Sequence, residues 1–376
     1  MYCAKLYNHM FLRSTDKGFH LKACCLAGNS TKDYELNKVY VQNVEEIKNH
    51  DIIRDARLSF EKDIWPEVCL NCKEIEDTGK ESSRQAINAF YEKEIYRHDA
   101  NGYITNDFVD FDIRPSNICN LKCVMCNPNW SSKWEEDIEI AEKFNFPYNT
   151  AKTVDNIDYD HLLSITANKA RRLSFLGGEP LYMKPAIKFI EQLSKNEWNR
   201  KNTLLKFVTN GVSFTDKIWK LLNCFPKTTM VFSCEGLGPV QEYIRFPSEW
   251  DIWISNFKKC IKHPKISPRI NLTVGAMNYP IMQQTLDYFY GLHVDPKEIT
   301  YFPLKTPGHL SMNALRPVVV SEAFKQHKDN YLVSLNNTYK YNDKANAKLL
   351  QYLSAMDNKR NTDSRKILPW CYELQG

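Results

Sequence analysis

The clearest chemical feature of this chain is a group of three closely spaced cysteines, Cys119, Cys123 and Cys126. They lie in the stretch R-P-S-N-I-C-N-L-K-C-V-M-C, which follows a run predicted to be a strand. Three thiolates at this spacing can bind one iron–sulfur cluster, and a cubane with four irons would then keep one iron without a cysteine. Clusters that transfer electrons ordinarily have four cysteine ligands. The missing fourth cysteine therefore leaves room for another ligand on the iron.

Zinc is the alternative metal for this loop. Structural zinc sites are almost always tetrahedral, with four ligands drawn mainly from cysteine and histidine. No histidine lies near the three cysteines in the sequence. Zinc would therefore be one ligand short, and the spacing favours an iron–sulfur cluster.

From residue 106 onward, short apolar runs alternate with amphipathic segments. Short, apolar and partly β-branched runs are typical of buried parallel strands. Six repeats of strand then helix predict a parallel sheet with right-handed crossovers, and ligands bind such sheets at the carboxyl ends of the strands. The predicted strands are 109–114, 172–176, 204–209, 229–233, 269–274 and 299–302, and the predicted helices are about 130–144, 158–170, 183–197, 214–223, 250–262 and 280–291.

Residues suited to ligand binding follow several of these predicted strands. The second strand ends in G-G-E-P, where glycines allow close approach of the backbone and a glutamate offers a carboxylate to an ammonium. An asparagine ends the third strand and is also an ordinary turn or helix-cap residue. A serine and a glutamate end the fourth strand, and an arginine follows it. The candidates are Gly177, Gly178, Glu179, Asn210, Ser233, Glu235 and Arg245.

The first 105 residues contain a second group of cysteines. The chain has twelve cysteines and no secretion signal at its start, so metal or iron–sulfur binding is favoured over disulfides. A predicted hairpin turns at 15–18 and ends at Cys24 and Cys25, and C-x2-C lies between predicted helices at 43–61 and 82–96. A four-cysteine zinc site is an alternative to a cluster here. The predicted ligands are Cys3, Cys24, Cys69 and Cys72, with Cys25 as the alternative to Cys24.

Composition excludes several other classes of protein. The net charge of +5 is mild, and no basic block indicates nucleic-acid binding. No apolar run approaches the roughly 18 residues that a membrane helix needs. We therefore expect a cytoplasmic protein that binds no membrane. The segment 318–376 is predicted to be mainly helical and to cover one side of the sheet, with an apolar stripe of Leu349, Leu350, Leu353 and Met356.

The C-x3-C-x2-C loop resembles the signature loop of the radical S-adenosylmethionine (SAM) enzymes. G-G-E-P, the T-N-G at Asn210 and the S-x-E-G at Ser233 are similar to further elements of that family, although Glu235 replaces an aspartate and Met125 a frequent aromatic residue. The resemblance implies a partial (β/α)6 TIM-like barrel and a 4Fe–4S cluster whose open iron is chelated by SAM. Glu179 would hold the SAM amino group, Glu235 a ribose hydroxyl and Arg245 the carboxylate.

The N-terminal pattern C…G-x5-C-C…C-x2-C resembles the auxiliary cluster module of the SPASM or twitch type, although in the usual arrangement that module follows the barrel. The resemblance implies a second, auxiliary 4Fe–4S cluster. The expected α/β architecture is a cysteine-rich α+β module at 1–105, a radical SAM partial barrel at 106–317 and a helical segment at 318–376.

The expected function is reductive cleavage of SAM to a 5′-deoxyadenosyl radical that abstracts hydrogen from a substrate. Auxiliary modules make a peptide or protein side chain the leading substrate, with a small metabolite, nucleoside or sugar as the alternative. A non-catalytic zinc-binding scaffold is the third possibility. The resemblance also implies an electron donor such as flavodoxin or ferredoxin. Cys371 is a candidate catalytic thiol, and Tyr301, Phe302, Leu304 and His309 are candidate substrate contacts that can equally be packing residues.

Overall fold

A nine-stranded sheet forms the centre of the structure, a computed structural model that describes residues 1–27, 39–92, 94, 96–146 and 153–373. The strands are β1 (His9–Thr15), β2 (Gly18–His20), β3 (Tyr40–Val41), β4 (Asp110–Arg114), β5 (Arg172–Phe175), β6 (Leu204–Thr209), β7 (Thr228–Cys234), β8 (Ile266–Val274) and β9 (Ile299–Pro303). Their order across the sheet is β3-β2-β1-β4-β5-β6-β7-β8-β9. Strand β1 pairs in parallel with β4, and each strand from β4 to β9 pairs in parallel with the next. Strand β2 pairs antiparallel with both β1 and β3.

Helices connect the parallel strands and form the N- and C-terminal parts of the described chain. Before β4 they are α1 (Lys5–Asn8), α2 (Glu46–Asn49), α3 (Asp51–Glu61), α4 (Leu70–Glu76) and α5 (Ser83–Phe90). Between β4 and β9 they are α6 (Ile138–Lys143), α7 (Tyr159–Thr166), α8 (Lys184–Leu193), α9 (Glu197–Asn202), α10 (Asp216–Leu222), α11 (Pro239–Ile244), α12 (Trp250–Lys262) and α13 (Met282–Gly291). After β9 they are α14 (Pro317–Gln326), α15 (Asn330–Asn336), α16 (Asp343–Arg360) and α17 (Ser364–Ile367).

The predicted alternation of strands and helices from residue 106 onward is confirmed. Each of the six predicted strands is present as β4 to β9, with ends that differ by three residues or fewer. Two predicted helices are interrupted. The segment 183–197 contains the whole of α8 and then ends at the first residue of α9, whose N-cap is Asn196. The segment 43–61 breaks at His50, which caps α3 in an extended conformation. In the predicted helix 82–96 the structure shows α5, while residues 93 and 95 lie outside the described residues.

The two faces of the parallel strands differ in polarity. Phe111, Leu173 and Leu205 are neighbours in one row of the sheet, and all three are fully buried in the main hydrophobic core. The opposite side carries Asp112 and Lys206, which share one row of the sheet through Ser174 of the strand between them. Because successive residues of a strand point to opposite faces, the helix-covered face is apolar and the inner face of the sheet is polar.

The N-terminal residues contribute a strand to the same sheet. The predicted hairpin is present as β1 and β2, with Thr15 paired to Gly18. The sequence did not predict that β1 also pairs in parallel with β4, from His9 opposite Asp110 to Arg13 opposite Arg114. All seven residues of β1 are buried. One sheet therefore runs from the cysteine-rich N-terminal residues into the barrel strands.

The C-terminal helices pack on the loop that follows β4. Leu349, Leu353 and Met356 of α16 are fully buried, as predicted. Leu350 is only half-buried, because it is one position, about 100° around the helix, from Leu349; Tyr352 completes the buried stripe instead. None of the helices in the described residues has both the length and the apolar character needed to cross a bilayer.

Candidate functional site

The loop after β4 brings Cys119, Cys123 and Cys126 together at the carboxyl edge of the sheet. Cys119 and Cys123 are buried, Cys126 is half-buried, and all three are free thiols that pack with Met125 and Val212. Burial raises the pKa of the Cys126 thiol, and the neighbouring Cys123 and Cys119 raise it further. The loop therefore presents three soft ligands to one another, which is the donor set that a cluster with one open iron requires.

Distant parts of the chain hold this loop in place. The backbone nitrogens of Lys122 and Val124 donate to the carbonyls of Phe246 and Ile244, at 2.7 and 2.8 Å. The Trp134 indole nitrogen donates to the Cys123 carbonyl at 3.0 Å, and the Tyr352 hydroxyl donates to the Val124 carbonyl at 2.5 Å. Sequence reasoning missed Trp134 and Tyr352. Their aromatic identity is the only local signal, and it does not distinguish them from ordinary core residues.

Two side-chain donors face the sulfur atoms. Arg245 Nη1 lies 3.7 Å from Cys123 Sγ, and Asn210 Nδ2 lies 4.0 Å from Cys119 Sγ. The same Asn210 nitrogen donates to Asn120 Oδ1 at 2.8 Å, which fixes the amide beside the loop. Hydrogen bonds to ligand sulfurs are one of the means by which proteins set the potential of a cluster. These two predicted site residues therefore lie next to the cysteines.

The G-G-E-P loop after β5 lies directly against the cysteine loop. Gly177 and Gly178 have φ angles of +80° and +49°, which L side chains rarely adopt. The backbone nitrogen of Glu179 donates to the Ile118 carbonyl at 2.9 Å. A Cβ at Gly178 would lie 2.2 Å from that carbonyl oxygen. Glycine is therefore required here for the two loops to approach.

Glu179 is fully buried between the ends of β5 and β6. Its carboxylate accepts hydrogen bonds from the backbone nitrogens of Leu181 at 3.0 Å and Asn210 at 2.6 Å, and from the Thr209 hydroxyl at 2.8 Å. Burial raises the pKa of Glu179 to about 7, although these donors oppose the shift. A carboxylate has about four acceptor positions, so three are used within the protein. Its contact with a SAM ammonium stays a prediction.

Glu235 and Arg245 bind each other. Glu235 is buried, and its carboxylate accepts from Arg245 Nη2 at 2.8 Å and from Arg245 Nε. The sequence predicted that each would contact SAM, whereas the structure joins the two side chains in one bidentate ion pair. Ser233 lies in β7, one residue before the end of that strand, opposite Asn271 of β8. The predicted contacts of Ser233, Glu235 and Arg245 with SAM stay predictions.

Replacing Arg245 with methionine is expected to lower the free energy of unfolding by about 3 kcal/mol, because it leaves the Glu235 carboxylate buried without its partner. Chemical denaturation of the purified protein measures this change. The control is Lys201→Met, which removes an exposed pair with Glu197 at 2.6 Å and should cost no more than about 0.5 kcal/mol. Equal stability of the two variants would contradict the structural role assigned to the Glu235–Arg245 pair.

The four cysteines predicted as N-terminal ligands line one small cavity. Cys3 and Cys72 are buried, Cys24 and Cys69 are half-buried, and all four thiols are free. Burial raises the pKa of Cys3 to about 12, and the Cys24 thiol contributes to the shift. Lys5 and Arg84 line the same cavity. A second four-thiol donor set therefore exists, flanked by two cations.

Cys25, the alternative to Cys24, faces a different environment. It is not among the residues that line the four-cysteine cavity. Burial raises its pKa, and the other groups that act on it include Lys5, Asp112 and Arg114. The latter two belong to β4. Among the described residues, no group of three or more His, Cys, Asp or Glu side chains is arranged to hold a single metal ion.

The remaining candidates lie in β9 and in the segments that follow it. Cys371 is buried, with its Sγ 3.8 Å from the Ala276 carbonyl. His309 is buried among Phe144, Phe146 and Tyr352, and burial lowers its pKa to about 4. These contacts are those of packing residues. Phe302, in contrast, is 47% exposed at the end of β9.

The three-thiol loop and the glycine-rich loop thus lie together at the carboxyl edge of a parallel α/β sheet. Residues 113–277 match the sequence model of the Radical SAM superfamily. The matched segment runs from β4 to the loop after β8, spans somewhat less than half of the chain and includes all three cysteines. The match is to a superfamily whose members bind a 4Fe–4S cluster and SAM.

The chain is similar over part of its length to several solved structures. They include anSMEcpe with bound AdoMet (19% identity, 61% of this chain and 62% of that one, TM-score 0.41), SuiB of Streptococcus suis bound to precursor peptide SuiA (14%, 85% and 63%, TM-score 0.33) and TYW1 with a lysine–pyruvate adduct (12%, 57% and 71%, TM-score 0.32). This chain thus spans about 62% of the length of anSMEcpe. No curated protein sequence matches it.

Proposed function

We propose that this protein is a radical SAM enzyme that binds a 4Fe–4S cluster through Cys119, Cys123 and Cys126 and cleaves SAM reductively. The observation that carries the proposal is that three free cysteines pack in one cluster beside the G-G-E-P loop, within the segment that matches the superfamily model. With cluster and SAM bound, the open iron would anchor SAM and the cluster would supply one electron, so that a 5′-deoxyadenosyl radical forms for hydrogen abstraction.

The protein's own residues position and shield this chemistry. Trp134 and Tyr352 hold the carbonyls of the cysteine loop, so the three thiols keep their spacing. Asn210 and Arg245 place N–H groups beside two of the sulfurs. Burial of Cys119 and Cys123 excludes water from the ligand sulfurs. The glycines and Glu179 of G-G-E-P, with Ser233, would face SAM at the strand ends.

We further propose that Cys3, Cys24, Cys69 and Cys72 hold a second 4Fe–4S cluster in a SPASM- or twitch-like site. Four soft thiolates carry negative charge that needs compensation when it is buried. Lys5 and Arg84 line the same cavity. Arg84 is already paired with Glu76 at 2.6 Å, so Lys5 is the cation that can provide this compensation. The alternative is a four-cysteine zinc site, which the same donor set would also suit.

A variant with alanine at Cys119, Cys123 and Cys126 distinguishes the two metals at the N-terminal site. We expect the purified anaerobic protein to retain about four irons per chain, because the second four-cysteine set is unchanged. Metal analysis measures iron and zinc in the same sample. Adding Cys69→Ala and Cys72→Ala should then remove the metal. Zinc without iron in the first variant would contradict the auxiliary cluster.

The proposed substrate is a peptide or protein side chain, since auxiliary modules of this type often accompany such chemistry among enzymes that the sequence resembles. A small polar metabolite, nucleoside or sugar is the second candidate. The inner face of the sheet favours a polar group of either class, because Asp112, Ser174 and Lys206 share one row there. Burial lowers the pKa of the Lys206 ammonium, so an anionic substrate group would restore a favourable environment for its charge.

Deuterium transfer tests the substrate assignment. Peptides and metabolites labelled with deuterium are incubated with the reduced protein and SAM, and the 5′-deoxyadenosine is analysed by mass spectrometry. A substrate whose hydrogen is abstracted transfers deuterium to that product. Transfer from a peptide side chain would support the first candidate, and transfer only from small metabolites would contradict it.

A further inference from the structure

A groove of about 840 Å³ lies between α8 and α10, close to the cysteine loop. Asn120 and Val212 are among the residues that line it. Val212 packs against Cys119 and Cys123 in one apolar cluster. Asn120 directly follows Cys119 in the chain and accepts the hydrogen bond from Asn210. Two of the residues that line the groove therefore belong to the cysteine loop or pack against it.

The rim of this groove is positively charged. Lys184 and Lys188 of α8, Lys195 just after it and Lys217 of α10 are all exposed there. The acidic residue on the rim, Glu191, pairs with Lys217 at 2.8 Å. Within the described parts of the chain, Lys184 and Lys188 form no ion pair. Two adjacent turns of α8 thus present uncompensated positive charge to solvent.

An exposed aromatic residue adds an apolar contact to this charged rim. Tyr182 lines the groove and is 52% exposed. Ile118, which precedes Cys119, is also exposed, at 37%. Docking sites of transient partners combine modest apolar contacts with complementary charge. The surface beside the cysteine loop has both properties.

We propose that this groove is the docking surface of an acidic one-electron carrier protein that reduces the cluster at Cys119, Cys123 and Cys126. The inference rests on the proposed function, because only a redox cluster requires such a partner. One electron passes from the reduced carrier to the oxidised cluster, the carrier is oxidised by one electron, and no covalent bond forms or breaks. The short path through Asn120 and Val212 favours transfer, since electron tunnelling weakens steeply with distance.

Charge complementarity decides the class of partner. Opposite charges on two proteins raise the rate of encounter and orient the complex, and both effects weaken as salt rises. A carrier with an acidic face would meet Lys184 and Lys188 first. Reduced flavodoxin, an acidic one-electron carrier, serves as the probe.

The test compares two ways of reducing the same holoprotein. Reversal of charge in the double variant Lys184→Glu and Lys188→Glu is expected to slow SAM cleavage driven by limiting reduced flavodoxin about tenfold. Cleavage driven by dithionite, which is small and needs no docking surface, is expected to stay within about twofold of wild type. Titration of oxidised flavodoxin into the holoprotein should show about tenfold weaker binding, and the difference should shrink at high salt.

The matched control reverses two exposed lysines on another helix. Lys258 and Lys259 of α12 are exposed and do not line the groove. The variant Lys258→Glu and Lys259→Glu is expected to match wild type with both reductants. An unchanged flavodoxin-driven rate and affinity in the Lys184/Lys188 variant would overturn the docking surface, as would equal losses in both lysine variants.

Failure of the proposed function gives a different result. If wild-type protein with its iron in place cleaves no SAM with dithionite, the enzymatic proposal is wrong. The flavodoxin titration then still tests the surface, because it depends on binding alone. Weaker binding by the Lys184/Lys188 variant would support the docking surface, and equal binding would overturn it.

Discussion

Cys123→Ala is expected to reduce SAM cleavage below detection and to release the cluster, about four irons per chain. Cys123 is the central ligand of the loop, buried, and its sulfur receives the Arg245 contact at 3.7 Å. With Cys119 and Cys126 alone, two thiolates remain for a cluster that needs at least three. Iron analysis, visible absorption and 5′-deoxyadenosine release measure the loss.

The control for this variant is Cys260→Ala. Cys260 is fully buried in α12, so the control has the same change of side chain in a comparably buried position. Both variants are expected to lose some stability from the smaller side chain, but only Cys123→Ala should lose iron. Wild-type SAM cleavage by the Cys123→Ala protein would contradict the assignment of the loop as the cluster site.

Gly178→Ala is expected to destabilise the fold by about 4 kcal/mol or more and to abolish SAM cleavage. The added methyl group would lie 2.2 Å from the Ile118 carbonyl oxygen and 2.9 Å from the Asn117 carbonyl carbon. Both are backbone atoms, so the overlap is relieved only by moving the loop that carries Cys119. The left-handed backbone conformation adds about 1–2 kcal/mol for any L side chain. Denaturant unfolding and the cleavage assay measure the two effects.

The control variant Gly79→Ala measures the cost of the left-handed backbone conformation without the overlap between the added methyl group and the neighbouring loop. Gly79 also has a positive φ, +75°, but a methyl group there would meet nothing within 4 Å. We expect a loss of about 1 kcal/mol and unchanged SAM cleavage. If Gly178→Ala proved no less stable than Gly79→Ala, the close approach of the two loops would be wrong.

The parts of the fold that local patterns specify could be predicted from the sequence. Strands β4 to β9 are short apolar runs separated by amphipathic helices, and all six were found. The role of β1 could not be predicted in the same way. Its residues include His9 and Arg13, yet every residue of the strand is buried, and its backbone pairs with both β2 and β4. Parallel pairing between segments about 100 residues apart leaves no local pattern.

The candidate site was likewise predictable from the sequence only where its residues are close together in the chain. The three cysteines are close in sequence, so their spacing alone indicated a cluster. The partner of Glu235 depends on side-chain direction, and the structure pairs it with Arg245 where the sequence suggested two separate ligand contacts. Tyr352 reaches the loop from 228 residues away. Such long-range contacts are set by packing of whole elements, which composition and spacing do not encode.

The adjacent cysteines of the N-terminal site illustrate a further limit. The sequence left Cys24 and Cys25 as alternatives, because neighbouring side chains cannot both reach one cluster easily. In the structure, Cys24 lines the cavity with Cys3, Cys69 and Cys72, whereas charged residues of β4 act on Cys25. The choice depends on the direction of the chain after β2, which no residue type in the motif determines.

Release of 5′-deoxyadenosine from SAM is the most direct test of the central claim. The wild-type protein is purified without oxygen, supplied with iron and sulfide, reduced with dithionite and incubated with SAM. The account predicts 5′-deoxyadenosine that depends on dithionite and disappears in the Cys123→Ala protein. A protein that carries iron at the three-cysteine loop and releases no 5′-deoxyadenosine, or one that holds only zinc there, would contradict it.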